Sequence, residues 1–252
     1  MWSRWIPWGR RTSRPSLPPG RRIYAVGDIH GRADLLRVMH ERIQEDLDGS
    51  PNKHSLLVYL GDYVDRGPDS REVLELLRRD IAPTSERLCL MGNHEQILLR
   101  FLEDPRIGRS WMDLGGDATL ASYGISPTPS VPPDQRMQTL SQNLKEAMPE
   151  SHKGFLRDCA VSHREGDYLF VHAGIRPGRP LERQTDQDLL WIRALFLESR
   201  RDHGFRVVHG HNVVEHPEVL PNRIAVDTGA CWSGRLTCVV LEEDQLRFLE
   251  AS

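Results

Sequence analysis

Short hydrophobic runs recur along the first hundred residues, and each one ends in a glycine that polar side chains follow. The three runs cover residues 23–26, 56–60 and 88–91. A short apolar run that a glycine terminates is typical of a buried strand leading into a tight turn. The pattern predicts three units in which a strand, a turn and a helix follow one another.

Helix and strand signals continue after these units. Asp69 and Glu72 have the spacing of a capping box and predict a helix start there, and residues 96–102 continue the third unit as a helix. Further apolar runs predict strands at residues 168–171, 205–208, 224–227, 236–241 and 245–249. The alternation of elements predicts an α/β chain.

The strand pattern lapses in the middle of the chain. A Pro-rich stretch at 126–134 precedes a helical pattern at 136–148, so we interpret residues 106–165 as a helical insertion near the site. It either shapes the substrate entrance or serves as a structural cap. Residues 188–201 predict one charged amphipathic helix.

Three motifs directly after the first strands carry residues that commonly bind metals. They are G-D-I-H-G from Gly27, G-D-Y-V-D-R-G from Gly61 and G-N-H-E from Gly92. Open α/β sheets place their sites at the carboxyl ends of strands, so Asp28, His30, Asp62 and Asn93 are predicted to lie together. Carboxylate, imidazole and amide oxygen suit a divalent metal. Two cations roughly 3.5–4 Å apart can clamp the oxygens of a phosphate ester, which predicts a two-metal phosphoesterase.

The second half of the chain supplies further imidazoles. His172 follows the strand predicted at 168–171, and His209 and His211 follow the one predicted at 205–208. A lone histidine in such a position is more often a hydrogen-bonded core residue, but the incomplete metal ligation favours ligands here. Alternation along a strand would point His209 and His211 to the same face, so the residues alone leave both candidates open. The other histidines, including His152, are predicted to lie on the surface.

The ordered motifs G-D-x-H-G, G-D-x-V-D-R-G, G-N-H-E, H-A-G and G-H, with residues 225–230, resemble those of the phosphoprotein phosphatases, a family of metallophosphoesterases. The bacterial and bacteriophage lambda type of serine/threonine phosphatase is most similar, and the resemblance covers residues 22–249. It implies a four-layer αββα sandwich, with two central mixed β-sheets flanked by helices. Residues 22–252 would then form a single catalytic domain.

The resemblance also implies a set of metal ligands. Asp28 and His30 would bind one ion, Asp62 would bridge both, and the second ion would be completed by Asn93, His172 and His211. The family motif thus selects His211 over His209. The cofactor implied is a pair of divalent ions, with manganese first and iron, zinc, nickel or cobalt as alternatives.

Four further residues receive roles from the family pattern. His94 would protonate the leaving oxygen while Asp65 orients it. Arg66 and Arg193 would bind the phosphate, since guanidinium groups match phosphate oxygens bidentately; Arg193 could instead be a solvated helix residue. The family usually has arginine immediately before G-N-H-E, where this chain has Met91.

The activity expected from the resemblance is hydrolysis of phosphoserine and phosphothreonine in proteins or peptides, with phosphotyrosine and aryl phosphates as further substrates. A metal-bridging hydroxide would attack directly. A symmetrical dinucleoside tetraphosphatase is the alternative, but that branch lacks the aspartate matched by Asp65 and has aspartate in place of Glu95. An inactive phosphate-binding scaffold is disfavoured because every expected ligand is present.

Composition fits this interpretation. The chain has 252 residues, 38% of them hydrophobic, which suffices for one core. Its formal net charge of −3 argues against a nucleic-acid-binding protein. The four cysteines lack the C-x-x-C spacing of a zinc site, and a reducing, cytoplasmic location is expected.

The first 21 residues differ in composition from the rest. They are rich in arginine, tryptophan and proline and contain no acidic residue. Because of this composition we predict a flexible tail. It has no continuous apolar segment that would indicate a secretory signal or a transmembrane span. Contact of this tail with an anionic membrane surface is a less favoured alternative.

Overall fold

The computed structural model describes residues 14–49, 54–79, 85–126 and 132–252. Its strands are β1 (Arg21–Val26), β2 (His54–Tyr59), β3 (Ser85–Cys89), β4 (Ser162–Glu165), β5 (Tyr168–Val171), β6 (Arg206–His209), β7 (Glu218–Val219), β8 (Arg223–Ala225), β9 (Leu236–Glu242) and β10 (Gln245–Ala251). Its α-helices are α1 (Ala33–Asp48), α2 (Ser70–Arg78), α3 (Asn93–Glu103), α4 (Gly108–Met112), α5 (Gly116–Ser122), α6 (Pro133–Ala147), α7 (Glu150–Arg157), α8 (Asp186–Trp191), α9 (Ala194–Leu197) and α10 (Ala230–Ser233).

The strands form two five-stranded mixed sheets. The first has the order β10-β9-β1-β2-β3 and the second has the order β4-β5-β6-β8-β7. In the first sheet β1, β2 and β3 run parallel, and in the second β5, β6 and β8 do so. Each sheet thus presents three parallel strands whose carboxyl ends lie at one edge.

Alternation along the strands builds the layers. In β1, Ile23 and Ala25 pack into a core cluster shared with the second sheet, while Tyr24 and Val26 pack into the cluster shared with the helices. In the second sheet, Phe170 faces the first sheet, whereas its neighbours on β5 join the residues of α8 and α9. The predicted sandwich of two mixed sheets flanked by helices is confirmed.

Two short strands were absent from the sequence prediction. β4 has only partly buried or exposed side chains, and both residues of β7 are exposed, so neither carries an apolar run. The helix predicted at 188–201 is also wrong. It is interrupted, with Arg193 at φ −130° and ψ −111° between α8 and α9. The break lets Arg193 Nη1 donate to Asn212 Oδ1 at 3.0 Å, a tertiary contact that local periodicity does not reveal.

Two predictions about surface residues are wrong in the described part of the chain. Leu17, assigned to the tail, is buried between the sheets, and its N–H donates to Glu243 O at 3.0 Å. Residues 1–13 lie outside the described residues. His152 is fully buried, and its ring nitrogens lie 2.6 Å from Tyr123 Oη and 2.8 Å from Glu75 Oε1. These polar partners stabilise an imidazole inside the helical layer.

The segment predicted as a helical insertion, residues 106–165, forms the helices α4 to α7, and the predicted helix at 136–148 is α6. Its last residues differ from that prediction, because they form β4 of the second sheet. Trp111, Leu140 and Leu144 from this segment pack with Phe101 of α3 in the helical core cluster. Among the residues that the structure describes, no helix is long and apolar enough to cross a membrane.

Candidate metal centre

The predicted ligands lie at one edge of the sandwich, where parallel strands from both sheets end. Asp28, Asp62 and Asn93 follow β1, β2 and β3, while His172 and His211 follow β5 and β6. All five are at most 6% exposed. The structure therefore brings together side chains that are up to 183 residues apart in the sequence.

Asp62 is at the centre of this group. Its Oδ2 lies 3.5 Å from His30 Nε2 and 3.8 Å from His94 Nε2, and its Oδ1 lies 3.4 Å from His172 Nε2. Two clusters of potential ligand atoms result, His30 with Asp62 and His94, and Asp62 with His172 and His211. Since Asp62 belongs to both, its two oxygens face two adjacent positions, as a bridging carboxylate requires.

Backbone carbonyls set the protonation of two imidazoles. His30 Nδ1 lies 2.9 Å from Val64 O, and His172 Nδ1 lies 2.9 Å from Leu60 O. A carbonyl oxygen only accepts, so each Nδ1 carries the proton and each Nε2 keeps a lone pair. Metal-binding histidines are commonly held in this way.

The surroundings of His172 Nε2 test whether the group fits a cation. Asn93 Oδ1 lies 2.9 Å away, His211 Nδ1 3.2 Å and Asp62 Oδ1 3.4 Å. His172 Nε2, Asn93 Oδ1 and Asp62 Oδ1 all present lone pairs, which repel each other, and a cation among them removes the repulsion. The donor set therefore fits a divalent metal ion.

Asp28 extends the negative charge of the site. Both its oxygens accept the N–H of His211, at 3.0 and 3.2 Å. Burial and the charges of Asp227 and Asp62 raise the pKa of Asp28 well above its usual range, while burial and Asp62 raise the pKa of Asp227 to about 6. Such a crowd of carboxylates favours binding of cations, which would keep them ionised. Asp227 received no role from the sequence, although it follows β8 as the other acids follow their strands.

The backbone of the site is strained. Among the described residues, six non-glycine residues have positive φ, and five of them belong to the site motifs: His30, Asp62, Asp65, Arg66 and His211. Left-handed conformations of this kind cost about 1–3 kcal/mol each and cluster at functional sites.

The strained backbone distinguishes the two candidate histidines, His209 at the end of β6 and His211 just beyond it. His209 remains in the strand and packs edge-on against Phe196, with ring centroids 5.2 Å apart. His211 has φ 63° and turns towards His172. Strand alternation, which would give both residues one face, does not extend past Gly210, so that expectation is wrong.

Two glycines allow carboxylates to approach the backbone closely. A Cβ at Gly92 would lie 2.2 Å from Asp62 Oδ1, and one at Gly210 would lie 2.0 Å from Asp28 Oδ1. Glu95, which received no ligand role, accepts the N–H groups of Asp62 at 2.8 Å and Tyr63 at 2.7 Å. Its carboxylate fixes the turn that carries the central aspartate.

His94 and Asp65 form a pair beside this centre. His94 Nδ1 lies 2.7 Å from Asp65 Oδ2, while Trp111 Nε1 donates to Asp65 Oδ2 at 3.0 Å and Thr119 Oγ1 donates to Asp65 Oδ1 at 2.7 Å. Burial alone would lower the pKa of His94, but the charges of Asp62 and Asp65 outweigh it and raise that pKa above its usual value. The α4–α5 segment thus holds the partner of His94.

Both predicted phosphate-binding arginines lie near the centre. Arg66 Nη1 donates to His30 Nε2 at 2.8 Å, and its guanidinium lies over the Trp232 ring, 4.7 Å from the centroid. Arg193 contacts Asn212, the residue after His211. Met91 packs against two apolar clusters, so its position contributes no cation to the site.

Comparison with known proteins decides the family. A sequence profile of calcineurin-like phosphoesterases, the metallophosphoesterase domain, matches residues 21–246. The chain belongs to this family. The metallophosphoesterase fold and the predicted relation to the phosphoprotein phosphatases are confirmed.

The proteins similar to this metallophosphoesterase are named for different phosphatase activities. It is 30% identical over 228 residues to serine/threonine-protein phosphatase 2 of Salmonella typhimurium, covering 86% of this chain and 91% of the relative. It is 25% identical over 239 residues to the asymmetrical bis(5'-nucleosyl)-tetraphosphatase PrpE of Halalkalibacterium halodurans, covering 86% and 89%. The crystal structure of a cold-active protein-tyrosine phosphatase from a psychrophilic Shewanella shares the fold, with a TM-score of 0.59, 19% identity and coverage of 94% and 83%.

Counting the metal ions bound to two variants should show whether His211 or His209 is the metal ligand. We expect His211→Ala to lower bound manganese from two ions per chain towards one, because its imidazole faces the second cluster. His209→Ala, the matched control, should retain both ions. Elemental analysis of the two purified variants checks this, and loss of metal from the His209 variant alone would reverse the assignment.

Proposed function

We propose that the chain is a metal-dependent phosphomonoesterase that removes phosphate from phosphoserine and phosphothreonine in proteins. Asp28, His30 and Asp62 would hold one ion, and Asp62 with Asn93, His172 and His211 the other. Two bound divalent ions would acidify a water and neutralise the charge of the phosphate. Manganese is the proposed metal because of the family resemblance. The carboxylate and amide oxygens suit manganese, and the imidazoles would equally suit iron, zinc or nickel.

The single observation that carries the proposal is the position of the His94–Asp65 pair beside the shared carboxylate. His94 Nε2 lies 3.8 Å from Asp62 Oδ2, while Nδ1 is held by Asp65. A protonated His94 could therefore donate the proton on Nε2 to the ester oxygen as that oxygen leaves a phosphate bound beside Asp62. The ester bond breaks as water adds to phosphorus, so no covalent enzyme intermediate is needed.

The same pair favours an alkyl ester over a dinucleoside polyphosphate. Serine and threonine leave as strongly basic alkoxides, so a positioned acid accelerates their departure by about 10²–10⁴-fold. A nucleotide leaving from a phosphoanhydride is a much weaker base and needs little protonation. A buried carboxylate that orients His94 therefore suits the first reaction. The tetraphosphatase relatives make dinucleoside hydrolysis the second candidate.

Metal removal and restoration test the proposal. Protein stripped with a chelator should release no phosphate from a phosphoserine peptide, and added manganese should restore release in proportion to the ions bound. Undiminished turnover in protein shown by elemental analysis to be metal-free would contradict the mechanism.

We expect Arg193→Ala to reduce kcat/KM for a phosphoserine peptide by at least about tenfold, the size of one charge-assisted contact to phosphate. Arg106→Ala is a matched control, since that side chain is 89% exposed and pairs only locally with Asp104. Steady-state kinetics and competitive inhibition by inorganic phosphate measure both variants. Normal kinetics for Arg193→Ala would mean that another residue binds the phosphate.

A further inference from the structure

We propose that Trp232 forms a binding site for an aromatic leaving group, so that the chain prefers phosphate monoesters of phenols, such as phosphotyrosine, over alkyl esters of equal reactivity. This inference rests on the proposed phosphomonoesterase function and adds to it a residue that would recognise the leaving group. Hydrolysis would break the bond between phosphorus and the aryl oxygen and release a phenol and phosphate.

The indole is exposed directly beside the site. Trp232 is 65% exposed, although tryptophan side chains are usually largely buried. Its ring lies 6.5 Å from the ring of His30, and the Arg66 guanidinium lies over it. Much of the indole thus remains accessible next to a residue proposed to bind phosphate.

The backbone holds Trp232 in this position. The single-turn helix α10 starts after Gly229, which has φ 72°, and ends before Gly234, which has φ 70°. Arg32 Nη1 donates to Ala230 O at 2.7 Å, and Ser233 Oγ donates to Thr228 O at 2.7 Å. These contacts fix the turn, so the indole is presented on a rigid element.

Another exposed apolar side chain, that of Val213, lies close to the indole. Val213 is 52% exposed, and a Cβ built on Gly229 would lie 3.1 Å from Val213 Cγ1 and 3.5 Å from Trp232 Cε3. The large hydrophobic side chains exposed in the described part of the chain are Val161, Leu195, Val213, Val219 and Trp232. Of these, Val213 and Trp232 lie together at Gly229, with Arg66 over the indole, and grouped exposed apolar residues mark binding surfaces.

The distance between a ring and the scissile phosphate differs among the possible substrates. In an aryl phosphate the ring is bonded directly to the ester oxygen, so a ring that contacts Trp232 would place its phosphate close to the indole, where Arg66 and His30 lie. The serine side chain has only one methylene between its ester oxygen and the backbone, and it presents no ring. A nucleobase in a dinucleoside polyphosphate is separated from the scissile phosphate by ribose and further phosphate. An aromatic monoester is thus the substrate that can stack on Trp232 while Arg66 binds its phosphate.

The competing explanation is that Trp232 only holds Arg66 by a cation–π contact. Loss of that contact would impair phosphate binding for every substrate alike. Loss of a leaving-group site would impair aromatic esters alone. Substrates that differ in aromatic character but not in leaving-group acidity distinguish the two roles.

The experiment compares Trp232→Ala and Trp232→Phe with the wild type, all manganese-loaded. The substrates are phenyl phosphate, a phosphotyrosyl peptide and a fluoroalkyl phosphate whose alcohol is as acidic as phenol. We expect Trp232→Ala to raise KM for phenyl phosphate by about three- to tenfold, the effect of losing one aromatic pair. The value of kcat and the kinetics on the fluoroalkyl ester should change little, and Trp232→Phe should restore most of the affinity. Val219→Ala, an exposed residue on β7, is the control.

Calorimetry supplies a readout without turnover. Phenylphosphonate should bind the wild type more tightly than methylphosphonate, and Trp232→Ala should abolish the difference.

Equal losses on aryl and fluoroalkyl esters would overturn the inference and leave Trp232 as a support for Arg66. A wild type that hydrolyses the fluoroalkyl ester but shows no aryl preference would overturn the inference alone. A wild type that hydrolyses neither monoester would overturn the proposed function as well. An equal effect on phenyl phosphate and the peptide identifies the ring itself as the recognised group, whereas an effect on the peptide alone would contradict recognition of the ester ring.

Discussion

Replacing Asp62 with asparagine is expected to lower kcat/KM for a phosphoserine peptide by about a thousandfold. The reason is that metal ions supply several kcal/mol of charge stabilisation in such transition states, and each 1.4 kcal/mol changes a rate by about tenfold. Asp62 is the residue shared by both ligand clusters, so both metal positions lose a charged oxygen. Steady-state kinetics with elemental analysis should show fewer than two ions per chain together with the loss of rate.

Asp134→Asn provides the matched control, because Asp134 is exposed on α6 and should leave rate and metal content unchanged. An Asp62→Asn variant with two bound ions and nearly normal turnover would contradict a bridging role. The substitution preserves size and burial, so a folding defect should not mimic the loss, and circular dichroism can verify this.

The second large effect concerns the leaving group. We expect His94→Asn to slow hydrolysis of an alkyl phosphate such as phosphoserine by about 10²–10⁴-fold and hydrolysis of nitrophenyl phosphate by less than about tenfold. A proton donor matters only when the departing oxygen is strongly basic. Asp65→Asn should show the same selectivity in weaker form, since Asp65 holds His94 Nδ1 at 2.7 Å. Rates on both substrates, with metal content matched across variants, measure the effect.

His54→Asn is the control, because His54 is exposed at the start of β2, at the end of the strand away from Asp62. Losses of equal size on alkyl and aryl substrates would show that His94 positions metal or water instead of donating a proton.

The candidate metal ligands could be proposed from the sequence because their signals are local. Asp28, Asp62 and Asn93 each follow an apolar run and a glycine, and such runs identify strands whose carboxyl ends meet at one edge. The same locality placed His172 after its strand. The two-sheet sandwich was implied by the family resemblance, whereas the local runs alone predicted only an α/β chain.

Residues that support the site through distant contacts escaped sequence analysis. Trp111 and Thr119 reach Asp65 across 46 and 54 residues, and nothing in their own neighbourhood indicates that contact. Glu95 was read only as part of a motif, although it binds the turn of Asp62. The break at Arg193 likewise depends on a tertiary contact with Asn212 that helical periodicity cannot report.

The central claim is that two metal ions at Asp62, with His94 beside them, hydrolyse phosphate monoesters. A direct competition experiment tests it. The manganese-loaded protein is given a phosphoserine peptide and a dinucleoside tetraphosphate at equal concentration, and each product is quantified by chromatography. The account predicts phosphate release from the peptide at the higher kcat/KM, with that advantage lost in His94→Asn. Faster cleavage of the dinucleotide by the wild type would contradict it and assign the chain to the tetraphosphatases.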